Sequence, residues 1–296
     1  MPGDITLDRV GSILLAAVGA LDVPAAFSVL LKIPLSQPDK VLGGAARPDW
    51  VQLVLAACAA TAGNPAVAAQ VAAGVECFMA ALDLFDEIED GDVSLTVEAA
   101  GIPQALNVAT ALLLLGQRLL LGVPQRHGLP TATDLARTLT DGGLAATGGQ
   151  HRDLADEAFA AGTPDEALAT ARAKAGALAS AVCRLGAMVG TADERLLDLY
   201  GRWGMHFGTM AQLANDLHDA LDNTTKTDIA RQKSTLPLIF NRRVAADTGE
   251  APSVAASGAL QFTWVVVEIE RQACRDIADQ LHARGQRVDL LRRLVS

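Results

Sequence analysis

Apolar side chains recur at three- and four-residue spacing along almost the whole chain, interrupted by short breaks rich in glycine, proline and polar residues. That spacing places the apolar positions on one stripe of an α-helix. The breaks fall at 33–44 (IPLSQPDKVLGG), 62–65 (AGNP), 98–103 (EAAGIP), 122–130 (GVPQRHGLP), 160–166 (AAGTPDE) and 247–252. They divide the chain into roughly eight to ten helices. No segment alternates apolar and polar residues like a strand, and no flexible linker or low-complexity tract divides the chain. The pattern predicts a single all-α domain over residues 1–296.

Composition agrees with that pattern. Of 296 residues, 50% are hydrophobic and only 4% aromatic, which suits a large helical core built from alanine and leucine. The formal net charge of −10 argues against a nucleic-acid partner, which needs a basic face. Cys58, Cys77, Cys183 and Cys274 are scattered without a CxxC pair, as expected of buried, reduced thiols in a cytoplasmic protein. The apolar run 13–33 has no basic segment before it and is broken by Asp22 and Pro24, so it does not read as a signal peptide. The run 111–123 is too short for a bilayer and carries Gln117 and Arg118, so no transmembrane segment is expected.

Two acidic clusters turn the reading towards chemistry. The first is LDLFDEIEDGD, residues 82–92. On a helix, Asp86 and Asp90 share one face, and Asp83 and Glu87 share the neighbouring one. Like charges at this spacing repel by about 0.2–0.5 kcal/mol per pair. No basic residue lies between Arg47 and Arg118 to relieve them. Hard divalent cations are the natural relief, because Mg²⁺ takes carboxylate oxygens and keeps positions for water or phosphate. An acidic, water-facing helix end is the plainer alternative.

The second cluster lies in ANDLHDALDN, from residue 214. Asn215 and Asp219 share a helix face, Asp216 lies beside them, Asp222 follows, and the preceding stretch 203–213 is mostly apolar. Lys226, Arg231 and Lys233 come directly afterwards. Two helices presenting oxygen ligands to one another, with cations downstream, would suit a metal–diphosphate complex.

In this order the motifs resemble the trans-isoprenyl diphosphate synthases, or polyprenyl synthetases, from about Gly43 to the C-terminus. Asp86-Glu87-Ile88-Glu89-Asp90 resembles the family's DDxxD, with one Glu for Asp. Gly149-Gln150-His151-Arg152-Asp153-Leu154 resembles GQxxDL, and Lys174-Ala175-Gly176-Ala177-Leu178 resembles KTxxL with Ala for Thr. The segment from Gln212 to Asp219 resembles the second aspartate-rich motif, with Asn215 for its leading Asp. Lys226-Thr227-Asp228 and Lys233-Ser234-Thr235-Leu236-Pro237 resemble the lysine-bearing run after it. The resemblance implies an isoprenoid synthase helical fold, Mg²⁺, an allylic prenyl diphosphate substrate and a homodimer.

The departures bear on which reaction is run. Gly43-Gly44-Ala45-Ala46-Arg47-Pro48 keeps the frame of the family's GGKRxRP but loses its Lys–Arg pair. Val93 to Val97 carry no cation where elongating members have two arginines. A second diphosphate brings about three negative charges, expensive to bury unpaired. The resemblance therefore implies that the allylic site survives and the isopentenyl site is largely gone. The leading expectation is a class I terpene synthase using a farnesyl- or geranylgeranyl-type diphosphate. Two alternatives stand beside it. One is a prenyltransferase, either chain-elongating or transferring to another acceptor, as in peptide-prenylating relatives. The other is a non-catalytic partner subunit, against which the two retained acidic motifs count.

Under that resemblance Asp86, Asp90, Asn215 and Asp219 are the candidate catalytic groups, and Asp86, Glu87, Asp90, Asn215, Asp216 and Asp219 the candidate Mg²⁺ ligands. Lys174, Lys226, Lys233 and Arg231 are candidate diphosphate contacts, oriented with help from Gln150 and Gln212. Phe78, Leu82 and Phe207 are candidates for an apolar substrate cavity, with Gly208 and Ala211 leaving space, although plain core positions share their spacing. His206 and His218 are weaker candidates for a proton acceptor.

Overall fold

The computed structural model describes residues 2–46, 49–159, 162–221, 235–249 and 252–296, with the side chains of 2–6 and 156–159 left aside. Among the described residues there are thirteen α-helices, one 3-10 turn, one π-turn and no strand, so the all-α expectation holds. The helices exceed the expected number because pieces as short as α5 (Leu95–Ala100) and α13 (Asp289–Leu294) fall below the window over which periodicity shows. The chain forms two compact units, Met1–Leu139 with Val182–Leu197, and Thr140–Ala181 with Asp198–Ser296.

In the first unit, α4 (Pro65–Asp90) is the core helix, surrounded by α1 (Pro2–Gly19), α2 (Ala25–Leu35), α3 (Asp49–Ala60) and α6 (Ile102–Leu121). Its start is fixed by Pro65 in the first turn and by the Asn64 side chain, which accepts the Ala66 N–H at 2.8 Å. Its end is Gly91, at φ 62°, a left-handed conformation that glycine adopts without strain. Small residues let α6 lie close against it: a Cβ on Gly116 would stand 2.6 Å from the Gly74 carbonyl oxygen. α4 and α6 are both long and apolar enough to cross a membrane by composition, and α4 is largely buried inside this unit. The expected break at 98–103 is one residue wide, Gly101 at φ 76°, which ends α5 and starts α6.

The second unit holds the later part of α7 (Ala132–Phe159), then α8 (Pro164–Ala171), a π-turn (Arg172–Gly176) and the start of α9 (Ala177–Met188). It continues with most of α10 (Glu194–Leu221), α11 (Leu236–Thr248), α12 (Ala259–His282) and α13. A reciprocal capping box between Thr163 and Glu166 starts α8. Glycines again set the helix spacing, since a Cβ on Gly204 or Gly208 would lie 2.3 Å from the carbonyl oxygen of Ala179 or Ala175. Trp203 is fully buried and stacks on Phe207 at 5.2 Å between ring centroids. All four cysteines are buried and none forms a disulfide, as expected.

Candidate active site

In the first unit the last two turns of α4 carry Asp83, Asp86, Glu87 and Asp90. Asp83 differs from the expectation that metal ions alone relieve this cluster. The Lys40 ammonium, 5% exposed, lies 2.7 Å from both the Asp83 and the Asp39 carboxylates. Burial alone would lower the Lys40 pKa, but the two carboxylates outweigh it and the net shift is upward. Burial pushes the Glu87 carboxyl up, opposed by a hydrogen bond with Ser94.

The Gly43-Gly44 frame has a folding role of its own. A Cβ on Gly43 would fall 1.8 Å from the Gln37 carbonyl oxygen, and Gly44 takes φ 84°. The adjoining 3-10 turn (Val41–Gly43) is tied to α4, because the buried Glu76 carboxylate accepts the Val41 N–H at 2.8 Å. Beside it lies a cavity of about 200 Å³ lined by Gln37, Asp39, Lys40, Asp83, Glu87 and Thr96, among others. Lys40 is the one cation among its lining residues, and it is already held by two carboxylates. Phe78 is buried, against Gly116 of α6, and Leu82 is half-buried.

In the second unit α10 presents Gln212, Asn215, Asp216 and Asp219 near its end. The Gln212 Nε2 donates to Asp216 Oδ1 at 2.9 Å, one helical turn along. Burial pushes the Asp216 carboxyl up to about 7; Gln212 and Lys174 oppose the rise, and the nearby charges of Asp153 and Asp219 add to it. Lys174 sits on the π-turn with its Nζ 3.5 Å from Asp153 Oδ2 of α7. The structure thus brings Asp153, Lys174, Gln212, Asp216 and Asp219 together, with Gln150 half-buried one turn before Asp153. Asp153 is the aspartate of the GQxxDL-like segment, and its pairing with Lys174 depends on tertiary contact that the sequence does not display.

The remaining candidates are distributed as follows. Lys226, Arg231, Lys233, Asp222 and Arg47 lie outside the described residues. His206 Nδ1 is 2.5 Å from Glu270 Oε2, and His218 is exposed. Burial alone would raise the Glu270 carboxyl, but hydrogen bonds with His206 and Arg172 outweigh it and the net shift is downward. The space expected beside Gly208 is taken by the Ala175 carbonyl rather than left as cavity.

Among the described residues no three His, Cys, Asp or Glu side chains converge on a metal position. The clusters instead offer hard oxygen donors in ones and twos. That fits Mg²⁺, which is commonly held by one or two carboxylates while water and substrate phosphate complete its shell.

A family model described as Polyprenyl synthetase matches residues 31–253. Geranylgeranyl diphosphate synthase of Mycobacterium tuberculosis is 31% identical over 221 residues, covering 70% of this chain and 62% of that protein. Tryptophan prenyltransferase ComQ of Bacillus spizizenii is 28% identical over 183 residues, 61% of either chain. Both matches span less than two thirds of the relative. Among solved structures, a polyprenyl synthetase from Streptomyces coelicolor superposes with a TM-score of 0.79 at 21% identity, covering 99% of this chain and 97% of that one. A geranyltransferase from Helicobacter pylori complexed with magnesium and isoprenyl diphosphate superposes at 0.72 with 15% identity, covering 98% and 93%. These likenesses establish the fold.

Proposed function

The chain belongs to the polyprenyl synthetase family, and on that premise we propose that it is a Mg²⁺-dependent prenyltransferase whose acceptor carries no diphosphate. The observation behind this reading is Lys40. A second diphosphate needs free cations, yet the one cation lining the first unit's cavity is neutralised by Asp39 and Asp83, and the stretch after the first motif has none. The relatives' names favour transfer over the cyclisation expected from the sequence: one makes a prenyl diphosphate and another is a tryptophan prenyltransferase. Chain elongation is the second reading, favoured by the higher identity to the geranylgeranyl diphosphate synthase.

In this reading Asp86, Glu87 and Asp90 on α4 of the first unit would offer ligands to magnesium, and so, within the second unit, would Asn215, Asp216 and Asp219 on α10. When bound, the metal supplies Lewis-acid neutralisation of the departing diphosphate. Lys174 adds a fixed positive charge where negative charge develops, and Gln150 and Gln212 orient the neighbouring groups. Lys226, Arg231 and Lys233 contribute the remaining cations. Phe78 and Leu82 in the first unit, and separately Phe207 in the second, are the apolar candidates for keeping water from an allylic cation. The allylic C–O bond breaks, a bond forms from the prenyl carbon to the acceptor nucleophile, and that nucleophile loses its proton as pyrophosphate leaves. A cytoplasmic homodimer is part of the proposal, supported by four cysteines that form no disulfide and by Leu106, Leu114 and Leu121 exposed on α6.

The test incubates purified protein with Mg²⁺ and farnesyl or geranylgeranyl diphosphate, alone, with isopentenyl diphosphate, or with tryptophan-bearing peptides, followed by mass spectrometry. A prenylated peptide supports the proposal. Longer prenyl diphosphates appearing only with isopentenyl diphosphate would replace it with elongation. A hydrocarbon or alcohol from the allylic substrate alone would restore the terpene synthase reading.

A further inference from the structure

One ionic network around a buried carboxylate in the second unit has no part in the reaction described above. Glu270 on α12 is 2% exposed, with one carboxylate oxygen 2.8 Å from the Arg172 guanidinium and the other 2.5 Å from His206 Nδ1. Its buried neighbours along α12 are Val267, Cys274, Ile277 and Leu281. An ionic group in such apolar surroundings adds little stability, since packed apolar residues of similar volume often do as well or better.

The network's partners sit on the two elements that carry the second unit's candidate groups. Arg172 opens the π-turn two residues before Lys174, and His206 lies on α10 upstream of Gln212 and Asp216. The π-turn is gripped on two sides by close contacts. A Cβ on Gly149 would lie 2.8 Å from the Lys174 backbone nitrogen, one on Gly208 would lie 2.3 Å from the Ala175 carbonyl, and one on Gly176 would lie 2.6 Å from Met205 Sδ. Contacts of this kind set how near two backbones come. They leave sliding and rotation to be fixed by directional bonds, and the Arg172–Glu270–His206 bridge provides two.

We propose that Glu270 is a positioning residue: through Arg172 and His206 it locks the register between the π-turn and α10, and so sets where the Lys174 ammonium stands relative to the Gln212–Asp216 pair. The proposal rests on the reading of Lys174 as a diphosphate contact.

The test is a double-mutant cycle of Glu270→Gln with Lys174→Ala. Turnover is followed by Mg²⁺-dependent pyrophosphate release from geranylgeranyl or farnesyl diphosphate in the presence of a tryptophan-bearing peptide as acceptor. Binding of inorganic pyrophosphate with Mg²⁺ is followed by calorimetry, and folding by thermal denaturation. The expected result is a fall in kcat of about tenfold or more for Glu270→Gln, with KM changed less. In the Lys174→Ala background the same substitution should add less than about twofold, and the pyrophosphate Kd should show the same non-additivity. Glu270→Leu should melt near the wild type yet lose the same activity. Should Glu270→Gln fail to fold, Arg172→Met removes one arm only and carries the same expectation.

Independent, multiplying effects of the two substitutions would overturn the proposal, as would wild-type kinetics in Glu270→Gln or no binding of pyrophosphate by the wild type. A wild type that binds pyrophosphate but turns over no prenyl diphosphate would defeat the reaction reading alone. The calorimetric cycle would still decide the positioning role.

Discussion

Gly148 and Gly149 are neighbours on α7, and alanine should act on them in opposite directions. A Cβ at 148 meets nothing within 4 Å, whereas a Cβ at 149 would lie 2.8 Å from the Lys174 nitrogen and 2.9 Å from the Ala173 carbonyl carbon. Alanine gains about 0.8–1 kcal/mol of helix propensity over glycine at either interior position. At 148 that gain stands alone. At 149 the neighbour is backbone, which has no rotamer to yield, and ordinary contact begins near 3.4 Å, so α7 or the π-turn must retreat by several tenths of an ångström. Overpacking of this kind costs about 1–3 kcal/mol, which matches or exceeds the gain.

With about 2 °C of melting shift per kcal/mol in a chain of this size, Gly148→Ala should melt about 2 °C above the wild type and Gly149→Ala about 0–4 °C below it. The retreat also moves the residue bearing the Lys174 ammonium, and turnover is expected to fall about tenfold, since small misplacements of a charge-stabilising group are costly. Circular-dichroism melting and Mg²⁺-dependent pyrophosphate release measure the two effects. Equal melting gains in both variants, with turnover unchanged in Gly149→Ala, would refute the reasoning that this glycine exists for the approach to Lys174.

Other expectations follow from single contacts. Lys174→Ala should lower kcat by about a hundredfold with a smaller change in KM, read by steady-state pyrophosphate release. Lys40→Met should cost about 1–3 kcal/mol in denaturant unfolding, less than a fully buried pair because Asp83 is 49% exposed and Asp39 70% exposed. Because the folded-state pKa of Lys40 is raised, its contribution is complete below the unfolded value of about 10.4 and is lost as pH rises beyond it. The stability gap between wild type and Lys40→Met should therefore hold steady at neutral pH and narrow only in alkali. Asp216→Asn should abolish most of the melting-temperature gain that Mg²⁺ with pyrophosphate gives the wild type, a gain of about 2.7 kcal/mol at a hundredfold excess over Kd.

The helical class is legible in the sequence because apolar spacing is a local property, and the breaks at 62–65 and 98–103 coincide with real helix ends at Asn64 and Gly101. Other features depend on distant partners. Lys40 pairs with Asp83 from 43 residues away, just outside the cation-free stretch, so the sequence assigns relief of the acidic cluster wholly to metal. The π-turn RAKAG consists mostly of ordinary helix formers, and its widened geometry accompanies its fit against Gly149 and α10. Gly208 illustrates an ambiguity of small residues in helices. They leave room either for a cavity or for another backbone, and here the Ala175 carbonyl fills it. The acidic and basic motifs are visible as residue types, but the grouping of Asp153 with Lys174 and Asp216 requires three separate elements to meet.

The π-turn also bears on how this chain tolerates insertions and deletions. From Pro164 to Met188 the backbone is helical throughout, with one surplus residue absorbed where the Ala177 N–H reaches back to the Arg172 carbonyl. Deleting a single residue there would close the stretch into an unbroken α-helix, and because the bulge already holds the surplus residue, the turns before and after it would keep close to their present facing. Lys174 would be re-aimed without any change in the helices on either side. Chain length at this one point is therefore an evolutionary variable separate from residue identity.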